Sequence, residues 1–135
     1  MTTFSTIRLN RQGSALRWPL AFAAVVAAVA HIPVIAPHLN EAPYMGVLFI
    51  VLTTACLFLA AAALIHDIPA VYAASAATCG LAVAGYAATR LVAFPMLADD
   101  VGNWLEPLGI VSIVSESIVV AISIVALRRS TRRVS

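Results

Sequence analysis

The sequence contains no lysine and few charged residues of either sign. Only 10% of its 135 residues are charged, whereas 62% are hydrophobic, and the mean hydropathy is +0.99. Soluble domains are about 25% charged and roughly half apolar, so this chain has too little polar surface to be covered by water alone. The scarcity of charge therefore predicts an integral membrane protein whose main partner is the lipid bilayer.

Basic residues and cysteines are too few to indicate a nucleic-acid-binding protein or a small extracellular protein held together by disulfides. All eight basic residues are arginines and the formal net charge is only +2, so we expect no nucleic-acid partner. Cys56 and Cys79 both lie inside apolar runs, which is not the pattern of an extracellular disulfide framework.

Four apolar stretches approach or exceed the length of about 20 residues that a membrane-spanning helix needs. They cover residues 18–36, 43–65, 69–94 and 107–127. We therefore predict an all-α fold, a membrane-spanning four-helix bundle that forms a single domain over residues 1–135 with short arginine-rich tails.

Prolines and helix-capping residues predict where these helices begin and end. Pro33 and Pro37 are expected to interrupt or end the first helix, because proline breaks the backbone hydrogen-bond pattern. Asn40 is typical of a cap for the second helix. Asn103, with Glu106 three residues later, is typical of a capping box that opens the fourth. Asp67 in the Asp-Ile-Pro turn is expected to cap the third.

The positions of arginine predict the orientation in the membrane. Because basic residues remain on the cytoplasmic side, both termini are predicted to be cytoplasmic, and this requires an even number of spans. The bundle is then up-down-up-down, a multi-pass protein of the cytoplasmic (inner) membrane, with acidic outer loops at 37–42 and 95–106. The arginines on either side of the spans are Arg8, Arg11, Arg17, Arg128, Arg129, Arg132 and Arg133.

A cleaved signal peptide is the alternative interpretation of the N-terminal region. Arginines, an apolar stretch and Ala28-Val29-Ala30 match the general pattern of such a peptide and its A-x-A cleavage site. Cleavage after residue 30 would leave three spans in the same orientation.

Glu116 is a carboxylate inside the fourth apolar stretch. Counting about 1.5 Å per residue, it lies near the middle of the bilayer, where a charge costs at least ~2.5 kcal/mol. It is therefore expected to face the bundle interior, on one helical face with Ser112 and Ser123. Intramembrane carboxylates mark ion pathways or proton relays, although a protonated glutamate can also join neighbouring helices by a hydrogen bond.

Other polar residues of the predicted spans complete a candidate intramembrane polar site. Tyr86 and Arg90 share a stripe of the third helix with Cys79, and Cys56 lies at a similar depth in the second. Arg90 either pairs with Glu116 or reaches outward to phosphates or the 95–106 loop. The two cysteines either pack as small residues or face each other and bind a soft metal.

A second candidate site lies at the predicted outer face. Imidazole, thioether and carboxylate groups there suit copper, zinc or iron, but their spacing matches no recognised metal motif. A metal is accordingly the one cofactor that the sequence suggests. Its candidate ligands are His31, His38, Glu41, Asp99 and Asp100, with Met45, Met96 and Glu106 nearby.

Two segments carry a resemblance to a known group of proteins. At HLNEAPYMGVLFI and DDVGNWLEPLGIVSIVSE, the chain resembles uncharacterised small four-helix integral membrane proteins of high-GC bacteria. The resemblance covers most of residues 20–127 and implies four helices in a membrane. The small multidrug transporters have a similar length, but their key glutamate lies in the first helix, and residues 18–36 contain none.

The sequence leaves three functions open. It favours a non-enzymatic accessory or structural component, joined in the membrane to a protein partner or to further copies of itself. The alternatives are a proton- or cation-coupled small transporter or channel that uses Glu116, and an outer-face metal-binding protein in copper or iron handling. No nucleophile–base set, phosphate-binding glycine loop or paired-cysteine motif indicates an enzyme.

Overall fold

The chain folds into four long helices in a computed structural model that describes residues 15–132. They are α1 (Arg17–Glu41), α2 (Pro43–Ile65), α3 (Pro69–Leu91) and α4 (Pro107–Thr131), with one 3-10 turn at Ala98–Asp100. Within residues 15–132 there is no strand, so the predicted all-α fold is confirmed. Of the predicted tails, Arg8, Arg11 and Arg133 lie outside the described residues.

Each of the four helices is long and apolar enough to cross a membrane, with 23 to 25 residues. Large apolar side chains point away from the bundle on several of them; Phe22, Phe58 and Leu81 are each more than 70% exposed. An outer surface of this kind suits lipid, which offers no hydrogen bonds and accepts apolar groups. The protein is therefore a small multi-pass membrane protein.

α1 continues past the two prolines that were expected to end it. It extends to Glu41, with Pro33 and Pro37 inside the helix, so the predicted end at residue 36 is wrong. The two prolines are four residues apart and both exposed, so their rings lie on the outer side of the helix. Each removes one backbone donor, a loss that membrane helices tolerate when nearby polar groups compensate.

Proline at the first helical position opens α2, α3 and α4, where its missing N–H breaks no helical bond.

Two predicted side-chain caps are wrong. The Asn40 amide donates back to the Ala36 carbonyl instead of capping α2, and Asp67 makes no capping bond to α3. Glu106 is itself the cap of α4, with its carboxylate accepting from the Leu108 and Gly109 amides, so the predicted box from Asn103 is three residues too early.

Small residues allow the helices to approach closely. α1 packs extensively against α2 and also against α4, and α3 packs against α4, whereas α2 and α3 have the sparsest contact of the four neighbouring pairs. The buried face of α1 is almost entirely alanine from Ala21 to Ala30, and alanine permits short interhelical distances in membranes. The uneven packing leaves space between α2 and α3.

Candidate functional site

Glu116 lies inside the bundle, as its position in α4 predicted, and its partner is His31 of α1. The carboxylate is only 1% exposed and the imidazole only 5%. Their nearest atoms, Oε1 and Nε2, are 3.5 Å apart, and the Ser112 hydroxyl oxygen is 3.3 Å from the same imidazole nitrogen. A distance of 3.5 Å is that of an ion pair and is too long for a good hydrogen bond.

The other ring nitrogen of His31 determines which tautomer is present. Nδ1 lies 2.6 Å from the Ala27 carbonyl oxygen, and because a carbonyl only accepts, Nδ1 must carry a hydrogen. Nε2 then faces Glu116 either as a lone pair or as a second N–H. An electrically neutral pair therefore carries one further proton, besides the hydrogen on Nδ1. That proton lies either on the Glu116 carboxyl group or on His31 Nε2.

One carboxylate oxygen of Glu116 lacks a hydrogen-bond donor. Among the described residues, no group hydrogen-bonds to Oε1. Buried polar atoms are nearly always hydrogen-bonded, and an unsatisfied one costs about 1–3 kcal/mol. This oxygen therefore has a vacant acceptor position beside His31 Nε2, which a proton shared by the two side chains would fill.

A cavity of about 600 Å³ connects Glu116 and His31 to the gap between α2 and α3. This volume is typical of a small-molecule site, which ranges over about 300–1,000 Å³. Residues of all four helices line it, and so do parts of the connection between α3 and α4 (residues 92–106). Its titratable or charged lining residues are His31, His38, Tyr86, Arg90, Asp100, Glu106 and Glu116.

His31 was misplaced by the sequence because α1 was expected to end near it. With α1 continuing to Glu41, His31 lies ten residues inside the helix end, about 15 Å along the axis. The available signal was the spacing of His31 and His38, seven residues or two helical turns apart. Both imidazoles contact the Phe49 ring, at centroid distances of 5.3 and 4.9 Å.

Arg90 and Tyr86 form a separate polar group near the 92–106 connection. The Arg90 guanidinium is 3.0 Å from the Asp100 carboxylate and stacks over the Tyr86 ring at 4.5 Å. The Tyr86 hydroxyl donates to the Trp104 carbonyl, and the Gly102 amide donates to the Arg90 carbonyl. Of the two alternatives for Arg90, the structure has the one that reaches toward the acidic loop.

The two cysteines lie beside each other within the buried core, as free thiols, and interact across the α2–α3 contact. Neither is among the residues that line the cavity. Three buried hydroxyls, those of Thr53, Ser75 and Ser123, have no hydrogen-bond partner among residues 15–132. Of the polar residues predicted inside the membrane, Ser112, Glu116, Tyr86 and Arg90 line the cavity, whereas Cys56 and Cys79 do not.

The residues of the predicted metal site are dispersed. Within the described part of the chain, no three His, Cys, Asp or Glu side chains come close enough to hold one ion. His31 contacts Glu116, the His38 ring lies 2.8 Å from the Val34 carbonyl, and Asp100 pairs with Arg90. Glu41 and Asp99 are exposed. The arrangement offers a carboxylate–imidazole pair in a cavity instead.

Comparison with known proteins gives no match: no family model, no curated protein and no solved structure is similar to this chain.

Proposed function

We propose that this protein is a small proton-coupled cation transporter in which Glu116 and His31 bind a proton or, alternatively, the cation. The observation that supports this best is the Glu116 carboxylate, which is 1% exposed and has one oxygen lacking a hydrogen-bond donor, in a residue that lines a large cavity. A glutamate that only joins helices usually has both carboxylate oxygens hydrogen-bonded. The cavity thus shifts the preference from the accessory role that the sequence favours.

The charge of the pair explains how a proton and a cation become coupled. The neutral pair holds one proton, and losing it leaves a net negative charge inside the bilayer, at a cost of at least ~2.5 kcal/mol. A cation that arrives beside Glu116 restores neutrality without that proton. A pair that holds both the proton and the cation carries a net positive charge, and a pair that holds neither carries a net negative charge. The proton and the cation therefore exchange for each other. His31 orients the pair through its bond to Ala27.

Replacing Glu116 with glutamine should abolish this exchange, because an amide neither binds a proton at neutral pH nor carries charge. We expect the pH-dependent flux of protons into liposomes, followed with an internal pH-sensitive dye, to fall about tenfold or more. The matched control is Glu41→Gln, an exposed carboxylate that does not line the cavity, with flux within about twofold of the original. Unchanged flux in Glu116→Gln would show the proposal to be wrong.

We further propose an up-down-up-down arrangement in the cytoplasmic membrane with both termini cytoplasmic. Two contacts support it: the Arg17 guanidinium donates to the Leu64 carbonyl, and the Tyr44 hydroxyl donates to the Pro95 carbonyl. Each joins segments that this arrangement places on the same side. The arginine-rich ends then lie inside. The buried residues of α1 before His31 support its retention as a span.

The orientation in the membrane is tested by introducing single cysteines at exposed positions and labelling them in intact cells with a membrane-impermeant maleimide. The native Cys56 and Cys79 are buried and serve as an unlabelled background. Asn103→Cys should react in intact cells, whereas Thr131→Cys should react only after lysis; both positions are exposed. Labelling of both variants in intact cells would contradict the proposed topology.

A second candidate function is an accessory component that binds a partner helix. It is favoured by the sparse contact between α2 and α3, where a helix of another protein would complete the packing. Purification in mild detergent distinguishes the two proposals. A transporter of this design is active as the isolated chain, whereas an accessory component co-purifies with its partner and shows no flux alone.

A further inference from the structure

We propose that the cation bound in the cavity is an amphiphilic organic cation that enters sideways from the lipid between α2 and α3. This inference rests on the proposed function and names the chemical class of its substrate. Three features of the cavity support it: the position of its opening, the Glu116 carboxylate on its wall, which neither pairs with an arginine nor caps a helix, and the scarcity of oxygen ligands around that carboxylate.

The opening of the cavity faces the lipid. Val51 of α2 and Leu81 of α3 both line the cavity and are 59% and 74% exposed. They lie on α2 and α3, the neighbouring helices with the sparsest contact. Side chains that are exposed and also line a cavity mark its mouth, and an apolar mouth at this depth admits solutes that partition into the bilayer.

The charge of the cavity wall selects a cation. Arg90 is neutralised by Asp100 at 3.0 Å, and the Glu106 carboxylate accepts from the first amides of α4. The remaining acidic side chain on the wall is Glu116, whose Oε1 has no hydrogen-bond partner among the described residues. An anion would meet only this carboxylate at the inner end and would be repelled.

Small inorganic cations find too few ligands there. A dehydrated calcium ion needs about six to eight oxygen ligands. Among residues 15–132, the polar groups that meet at the Glu116 carboxylate are the Ser112 hydroxyl and a ring nitrogen of His31. An organic cation spreads its charge over an apolar body and needs no such shell. The rings of Phe49 and Tyr86, which also line the cavity, provide faces that attract organic cations.

Equilibrium binding of two ions of the same shape and opposite charge tests this class. The full-length protein in zwitterionic lipid nanodiscs should bind tetraphenylphosphonium saturably and release protons into weakly buffered solution as it does so. Tetraphenylborate should show only partition into lipid. Glu116→Gln should weaken tetraphenylphosphonium binding about tenfold or more, and Glu41→Gln should leave it within about twofold.

A pair of glycine variants tests the entry route without touching a charged group. A Cβ atom built at Gly85 or at Gly80 meets nothing within 4 Å, so we expect both leucine variants to fold, but only Gly85 lines the cavity. Gly85→Leu fills the mouth and should weaken tetraphenylphosphonium binding about tenfold. Gly80→Leu should have an effect of about twofold or less.

The outcomes separate this inference from the proposed function. If proton flux depends on Glu116 but tetraphenylphosphonium does not bind, or if sodium releases the proton instead, the organic substrate class is wrong and the transporter proposal stands. If Gly85→Leu and Gly80→Leu bind equally well, the lateral route is wrong. If flux and binding are both insensitive to Glu116→Gln, both proposals fail.

Discussion

Replacing Asp100 with asparagine should destabilise this protein strongly, because it leaves the Arg90 charge without its counter-ion. Arg90 is 7% exposed and remains protonated at any pH the protein tolerates. Removing one member of a buried ion pair costs about 3–5 kcal/mol. Since the Asp100 side chain is 29% exposed, water replaces part of the lost interaction, and we expect a loss near the lower end of this range, about 3 kcal/mol.

The measurement is the thermal unfolding midpoint of the purified protein in detergent, followed by circular dichroism. Asp99→Asn is the matched control, since Asp99 is exposed and its loss leaves the Arg90–Asp100 contact intact. Arg90→Met combined with Asp100→Asn should recover much of the stability, because it removes the uncompensated charge. Equal midpoints for Asp99→Asn and Asp100→Asn would show that the ion pair contributes nothing.

Replacing Gly46 with alanine should lower the stability of the protein, whereas the same change at Gly80 should raise it. In a helix interior, alanine is more favourable than glycine by about 1 kcal/mol, and Gly80 has open space for the added methyl group. At Gly46 that group would lie 2.6 Å from the Leu39 backbone nitrogen. The backbone cannot rotate away, so we expect Gly46→Ala to destabilise by about 1–3 kcal/mol.

This comparison tests how closely α1 and α2 approach each other. The cavity depends on that distance, because His38 of α1 and Phe49 of α2 contact each other between the two helices. Both variants are measured by thermal unfolding in the same detergent. A higher midpoint for Gly80→Ala and a lower one for Gly46→Ala is the expected result. If both rise, the junction between α1 and α2 is looser than the structure has it.

The sequence determines the helices well where lipid and proline dictate them. α2 has the predicted bounds of 43–65, because it is apolar throughout and a proline marks its start. α1 and α3 differ at their C-terminal ends, where local rules compete with packing: Pro33 and Pro37 do not end α1, and α3 ends at Leu91, before the predicted residue 94. α4 also continues beyond the predicted residue 127, to Thr131.

The sequence predicts the burial of Glu116 but not the partners and the cavity that make up the rest of the candidate site. The burial of Glu116 follows from the cost of a charge in lipid. Its pairing with His31 depends on how α1 crosses α4, which helical periodicity does not specify. The cavity depends on the distance between α2 and α3, and the preference of Arg90 for Asp100 depends on a loop turn. Tertiary geometry of this kind lies beyond a single sequence.

The two prolines of α1 have a mechanical consequence for the imidazoles beside them. Pro33 and Pro37 lack the N–H groups that would bond to the carbonyls of Val29 and Pro33, so residues 29–37 are the stretch where that helix bends most easily. Under the proposed transport function, bending there would move His31 relative to Glu116 and change the distance of 3.5 Å between them. Motion of this kind is what alternating access requires.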